Sequence, residues 1–392
     1  MWAYPRRCTA GLRAGGGPPT ATRNSGHGTG ARGTQQRPRR LLLQHPRHGR
    51  PRAHTVMQTT FGRSPRLRFM RALLVVNPRA TTTSTRTADV IVQALSHELE
   101  LEVTFTTHRG HARDLGHWAL DNRLDAVIAL GGDGVVNEVL NGILRDGPGP
   151  GVPALGVIPG GSANVFSRAL NVPTDPVEAT GVVLRSVREG RYRLIGLGHI
   201  RTDDDERWFT VNAGLGLDAT IIDAMEGQRR AGHRATPARY LTTTVREYFA
   251  RRESATMELT RPGIAGSTRV VLAIVQNTSP WTYFGTFPID PCPHASFETG
   301  LDVFALRRLG PITTVRAARR MLAAAQSGTR AGSSILTWHD QRSFTVAVEG
   351  SVEGPVTVPV QVPVQVDGES LGRTTRAVFT AHSEALMVMG AV

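Results

Sequence analysis

Cysteine is nearly absent: Cys8 and Cys292 are the only two in 392 residues. That excludes a disulfide framework and a cysteine-ligated metal cluster, and it fits a reducing, cytoplasmic setting. Long apolar runs are missing as well. No stretch approaches the roughly 18 residues that span a bilayer, and no apolar run of about 7 to 15 residues near the N-terminus reads as a secretory signal. Acidic residues are missing from positions 1 to 69, which hold fourteen of the 46 basic residues and none of the 32 acidic ones. The formal charge of +14 therefore belongs to that segment alone, and the rest of the chain is neutral. A Gly-, Pro-, Arg- and His-rich stretch of this kind cannot bury enough surface to fold, and no nucleic-acid partner is expected from it. It reads as a disordered arm, a targeting peptide, or sequence upstream of the working start. The last is the expectation here, because Met70-Arg-Ala-Leu-Leu-Val-Val opens a strand directly, with Met57 as a second start.

What is present is organised around Leu130-Gly131-Gly132-Asp133-Gly134-Val135-Val136-Asn137-Glu138-Val139-Leu140-Asn141-Gly142. The apolar run 125 to 130 has buried-strand length, and Val136, Val139, Leu140 and Ile143 recur at helical spacing, so the glycines form a strand-to-helix turn. Such a turn lets backbone N–H groups approach an anion at a helix N-terminus. Asp133 lies where like charge would repel a phosphate, which points to Mg²⁺ or a proton in transfer between them. The plain alternative is a turn without chemistry, with Glu138 serving the helix dipole.

Around this stretch the order is strand 72 to 76, helix 87 to 99, strand 101 to 107, a helix from Gly110, then the glycine turn. That is βαβ order and predicts a parallel sheet. Ligands of such sheets collect at the carboxyl ends of the strands, where Asn77-Pro78-Arg79, Thr106 and Gly131 fall. A further strand, 154 to 158, runs into Pro159-Gly160-Gly161-Ser162-Ala163-Asn164, repeating strand, glycine turn, hydroxyl and helix. Ser162 reads equally as a phosphate donor or a helix N-cap, and Asn164 as a cap or a binding group. A helix over 176 to 189 closes this half.

From Arg191 onward, short alternating or β-branched runs separated by turn residues predict an antiparallel β domain. Helical patches are expected at 239 to 249 and 313 to 326, the second basic and amphipathic. Pro359 and Pro363 predict that the strand ending at Val366 lies at a sheet edge or partly outside it. Asp367-Gly368-Glu369 reads locally as a tight hairpin turn. The domains are thus 1–69, an extension; 70–190, α/β; and 191–392, β-sandwich.

Gly131-Gly132-Asp133-Gly134-x-x-Asn137-Glu138-Val-x-Asn141-Gly142, then Pro159-Gly160-Gly161-Ser162-Ala-Asn164-x-Phe166-x-Arg168, Asn212-Ala-Gly-Leu-Gly-Leu-Asp218-Ala and Gln365-Val-Asp367-Gly368-Glu369 together resemble the bacterial diacylglycerol kinase and sphingosine kinase family of lipid kinases. The resemblance implies an α/β-plus-β fold, a Rossmann-like nucleotide-binding domain followed by a β-sandwich as in NAD kinase and diacylglycerol kinase. It implies ATP as donor, Mg²⁺, and a lipid hydroxyl as acceptor at a membrane surface, with diacylglycerol favoured. Glu369 takes the role of general base and Asp133 that of Mg-ATP ligand. The nucleotide is expected against Asn77, Pro78, Arg79, Thr106, Gly131 to Asn137 (Val135 and Val136 included), Gly161, Ser162 and Asn164, with Asp218 beneath the lipid-facing site. Two departures stand out: Val135 replaces the family's usual Thr, and Thr299 occupies the position of an Asp that holds a structural Mg²⁺ in bacterial members. Sphingoid-base kinase, NAD kinase-like enzyme and catalytically weak lipid-binding module are the alternatives. A peripheral membrane contact and a homodimer are the associations considered.

Overall fold

The computed structural model describes residues 69–78, 80, 84–216, 219, 255–284, 286–322, 334–352 and 358–390. Arg79, Asp218 and the helix expected at 239 to 249 lie outside them.

The first lobe runs β1 (Met70–Val76), α1 (Thr85–Ser96), β2 (Leu99–Phe105), α2 (His111–Asp121), β3 (Ala126–Gly131), α3 (Asp133–Ile143), β4 (Ala154–Pro159), α4 (Val165–Ala169) and α5 (Pro176–Glu189). The second contains β5 (Arg193–Arg201), β6 (Glu206–Phe209), β7 (Asn212–Gly216), β8 (Met257–Thr260), β9 (Thr268–Val270), β10 (Leu272–Gln276), β11 (Thr282–Phe284), β12 (Phe287–Ile289), β13 (Leu301–Leu306) and α6 (Pro311–Leu322). It continues through β14 (Ile335–Gln341), β15 (Ser343–Val348), β16 (Ser351–Val352), β17 (Val358–Pro359), β18 (Val362–Val366), β19 (Glu369–Thr374) and β20 (Arg376–Met389).

Strands β2-β1-β3-β4 are parallel. β1, β3 and β4 are apolar because helices cover both faces: Leu73 to Val76, Ala126 to Leu130 and Leu155 to Ile158 are all buried, whereas the edge strand β2 carries Glu100 and Glu102. The strand order reverses between β1 and β3, so the switch point, where open α/β sheets bind ligands, lies at Asn77 and Gly131. The expected helix 87 to 99 starts earlier, capped by the Ser84 hydroxyl on the Thr87 amide at 3.1 Å, and Leu99 opens β2 instead.

The antiparallel half forms a six-stranded sheet, β14-β13-β10-β7-β18-β19, packed on the antiparallel part of the larger sheet. Phe344 and Phe379 stack at 4.9 Å in the layer between them. Strand β20 joins the lobes. It pairs antiparallel with β15 and β5, and its last residues run parallel to β4 through Val388↔Leu155 and Met389↔Gly156. Ala385, Leu386, Val388 and Met389 therefore complete the core of the first lobe.

The strand ending at Val366 is interior, between β7 and β19, rather than at an edge. Proline is tolerated because β7 pairs only with Val364 to Val366, which leaves Pro363 beyond the paired register on that side.

Candidate active site

Helix α3 assembles the site, because its polar and small positions hold α2, α4, β6 and the hairpin between β18 and β19. Its apolar face, Val136, Val139, Leu140 and Ile143, is buried against the sheet. Gly142 lets α2 approach closely: a Cβ there would lie 2.3 Å from the Arg113 carbonyl oxygen. Gly132 is the N-cap and offers no side chain, so no side-chain cap occupies the first amides of α3.

At the first turn, the Asp133 carboxylate accepts hydrogen bonds from the amides of Val165 and Phe166, both at 3.1 Å, and so caps α4 from across the cleft. Burial pushes its carboxyl above the ordinary carboxylate range, while those two amides pull it back. Beside it, a Cβ on Gly134 would lie 2.7 Å from Glu369 Oε1, so the Glu369 carboxylate rests against the start of α3.

One turn on, Asn137 donates to Asp367 Oδ2 at 2.8 Å and to the Trp208 carbonyl at 3.1 Å. Glu138 accepts the amides of Gly110 at 2.9 Å and Ala112 at 3.2 Å, fixing the start of α2. Asn141 brackets the backbone of Trp208, donating to its carbonyl at 3.0 Å and accepting its amide at 2.8 Å.

Asp367 and Gly368 both have positive φ, 46° and 81°, in a two-residue turn closing β18 onto β19. This is the hairpin read from the sequence, with both central residues left-handed. Asp367 accepts five hydrogen bonds: from Asn137, from the amide and hydroxyl of Thr210 at 2.9 Å each, and from the amides of Val211 at 2.9 Å and Asn212 at 3.0 Å. A carboxylate so held fixes the turn, and the turn aims Glu369. Two arginines flank that carboxylate. Arg109 Nη2 lies 3.6 Å and Arg207 Nη1 3.8 Å from Glu369 Oε2. Arg207 is mostly buried, whereas the Arg109 side chain is 54% exposed. The chain has no lysine, so every side-chain cation is an arginine or a histidine.

Most of the residues singled out from sequence converge here. Asn77, Thr106 and Gly131 lie side by side at the ends of β1, β2 and β3, joined by Asn77 N–H to Leu130 at 3.0 Å and Thr106 N–H to Val76 at 2.8 Å. Pro78 follows, exposed. The two glycine turns touch back to back: a Cβ on Gly161 would fall 2.7 Å from the Gly132 Cα. Ser162 is exposed, Asn164 occupies the N-cap position of α4, and Asp133 accepts its first amides, so the N-cap account of Ser162 fails.

Three expected nucleotide contacts need correction. Asn164 is buried and spends its side chain on the Gly161 amide and carbonyl, at 2.9 and 2.7 Å, which shapes the loop. Val136 is buried in the core, and Asn137, 1% exposed, faces β6 and the Asp367 turn. The first two turns of an α-helix rooted in a sheet must bury one face, and these residues occupy it. A Cβ on Gly131 would lie 3.1 Å from the Val135 side chain. Thr299, at the expected structural-metal position, donates to the carbonyls of Ser296 at 3.1 Å and Gly300 at 3.3 Å. Arg109, Arg207 and Thr210 went unnoticed in the sequence because none carries a local pattern; only folding brings them to Glu369 or Asp367.

The chain is thus a two-lobed α/β-plus-β protein, with paired glycine turns at a sheet switch point and the Glu369 carboxylate beside them. The resemblance read from the motifs is borne out: residues 71–197 match the family model of the diacylglycerol kinase catalytic domain. A diacylglycerol kinase from Staphylococcus saprophyticus is 34% identical over 134 residues, 34% of this chain and 40% of that one. One from Staphylococcus aureus is 33% identical over 154 residues, 39% of this chain and 45% of that one. The matches thus span less than half the length of these relatives. In fold, a diacylglycerol kinase from Bacillus anthracis superposes with a TM-score of 0.58 at 20% identity, covering 83% of this chain and 98% of that one. A second Bacillus anthracis structure gives 0.61 at 22% identity, with 83% and 99% covered.

Proposed function

We propose that this chain is an ATP- and Mg-dependent lipid kinase acting on a lipid hydroxyl, with diacylglycerol as acceptor and phosphatidic acid as product. The observation that carries this reading is the Glu369 carboxylate resting on Gly134 at the open N-terminus of α3. It brings a proton acceptor within one residue of an anion site, as phosphoryl transfer to an alcohol requires.

The residues present suit the cofactor. Mg²⁺ is usually held by one or two carboxylates together with substrate phosphates, not by a protein cage. Among the described residues no three His, Cys, Asp or Glu side chains group into such a cage. Each Asp133 oxygen accepts one amide of α4, and the carboxylate has lone pairs beyond those two bonds, so Asp133 would hold the ion directly or through water. Mg²⁺ bound there would neutralise charge on the transferring phosphoryl group.

In this reading the open amides of α3 and the exposed Ser162 hydroxyl bind phosphate oxygens, and the Asn77 and Thr106 strand ends bound the nucleotide. Glu369 accepts the acceptor hydroxyl's proton as that oxygen bonds the γ-phosphorus in line, and the bond from phosphorus to the departing ADP oxygen breaks. Arg109, exposed and beyond hydrogen-bond distance from Glu369, exchanges from the base to the phosphoryl group as negative charge gathers. Arg207 stays with Glu369 and orients it. The chain works in the cytoplasm and meets its acceptor at the membrane surface; none of the helices of its described residues is long and apolar enough to cross one.

The test is incubation of the purified chain with radiolabelled ATP, Mg²⁺ and a panel of diacylglycerol, ceramide, sphingosine and NAD. Label in phosphatidic acid supports the reading. Label only in sphingoid phosphate or NADP moves it to one of the other kinases, and no label in any product removes it.

A further inference from the structure

Helix α6 carries an uncovered apolar stripe. Ile312 is 68%, Val315 59% and Leu322 61% exposed, and their spacing puts them on one side of the helix. The opposite side is the packed one: Thr313 and Ala317 are buried, and Met321 lies against the cluster of Leu272, Phe304 and Cys292. The Asp290 amide bonds the Met321 carbonyl at 2.8 Å, which ties the end of β12 to the end of α6. Three large apolar side chains thus stand in water on one side of one helix, where a soluble surface normally scatters them singly.

Among the described residues of α6 and the four before it, every charge is positive. Arg316 and Arg319 are exposed beside the stripe, Arg307 and Arg308 are exposed just before the helix, and α6 contains no Asp or Glu. The acid bonded to the helix end, Asp290, turns its carboxylate inward to Ser279, Gln276 and Cys292. Arginines bordering an apolar helix face, with no acid among them, match an anionic lipid surface: the apolar side chains enter the acyl boundary and the guanidinium groups meet the headgroup phosphates. A protein partner of ordinary composition would leave most of these like charges uncompensated.

We propose that the α6 face, Ile312, Val315 and Leu322, docks this chain on an anionic bilayer. Naming the bilayer rests on the reading of the acceptor as a membrane lipid; the surface itself is read from exposure and charge alone.

The test uses the full chain with Cys8→Ser, so that Cys292, which is buried, is the remaining native thiol. An environment-sensitive fluorophore is placed at Val315→Cys, and at Val90→Cys on α1 as control. Vesicles of phosphatidylcholine containing phosphatidylglycerol should shift the Val315 probe to the blue and leave the Val90 probe unchanged. Arg316→Gln and Arg319→Gln, read through the same probe, should each weaken partitioning about fivefold. An unshifted Val315 probe, an equal shift at Val90, or a shift produced without lipid by raising protein concentration would each overturn the proposal, the last in favour of a second copy of the chain. Kinase activity is scored separately. Phosphorylated diacylglycerol with an unshifted probe removes the docking surface and keeps the enzyme; a shifted probe with no product on any acceptor does the reverse.

Discussion

Asn137 of α3 donates its side-chain amide to Asp367 at 2.8 Å, joining residues 230 positions apart in the chain. That bond ties the glycine turn of the first lobe to the hairpin that presents Glu369 in the second. Asp367→Asn replaces one acceptor oxygen with a donor that faces donors. It should cost about 2–3 kcal/mol of stability and lower kcat, with KM for ATP near wild type, because Glu369 loses its aim. Denaturant unfolding and steady-state kinetics check it, and unchanged stability would contradict the clamp.

Two glycines of the same helix should behave oppositely. At Gly134 an added Cβ meets only the flexible end of Glu369, and alanine is the better helix former by about 1 kcal/mol. Gly134→Ala should therefore keep or raise the melting temperature while activity drops at least about tenfold, the base being displaced. At Gly142 the Cβ meets backbone of α2 at 2.3 Å, so Gly142→Ala should destabilise by about 1–3 kcal/mol, and activity per folded molecule should fall less. Melting curves paired with activity per folded molecule separate the two.

Asp133→Asn is expected to fail in two ways at once. The new NH₂ opposes one of the amides at the start of α4, so the melting temperature falls. The lost charge weakens Mg-ATP binding, and raised Mg²⁺ recovers part of the turnover. A variant with normal Mg-ATP affinity would leave Asp133 with its capping role alone.

Trp208, whose backbone Asn141 brackets, packs its ring 4.5 Å from His199 and 4.7 Å from His382. Burial lowers both imidazoles below the usual 6.5. Below that pH the unfolded chain takes up protons that the folded one resists, so their stability contribution is complete above 6.5 and is lost as pH falls through it. Thermal unfolding from about pH 7.5 down to about pH 5 should show this loss. In the His199→Phe/His382→Phe double variant the loss should be shallower; an equally steep curve would place the acid sensitivity elsewhere.

The parallel half of the fold was legible because strands buried on both faces read as unbroken apolar runs, and the glycine turns mark where they end. Strand β20 was legible only over 377 to 380. Its continuation is hidden by His382, Ser383 and Glu384, a register irregularity with Glu384 at φ 51°, before the apolar pattern resumes. In the site, the glycines, Asp133 and Glu369 carry motif signals. Asn137 and Asn164 share those motifs, yet their side chains organise the backbone; a motif records that a residue is required, not which way it points. Arg109 and Arg207 have no signal at all, since their proximity to Glu369 exists only once both lobes are folded.

The arginine pair can be separated by kinetics. If Arg109 moves to the phosphoryl group, Arg109→Gln should lower kcat by about 10- to 100-fold with ATP KM little changed, a loss confined to the transition state. Arg207→Gln, removing the more buried partner, should lower kcat less and reduce thermal stability. Equal effects in both would mean that the two only neutralise Glu369.

Glu369→Gln tests most directly whether Glu369 takes the acceptor's proton, since size and polarity are kept and only proton acceptance is lost. The quantity to measure is kcat with diacylglycerol and Mg-ATP, alongside the Mg-ATP dissociation constant and the melting temperature. A kcat lower by about 10²- to 10⁴-fold with the other two near wild type is the predicted result. Turnover at the wild-type rate would contradict it.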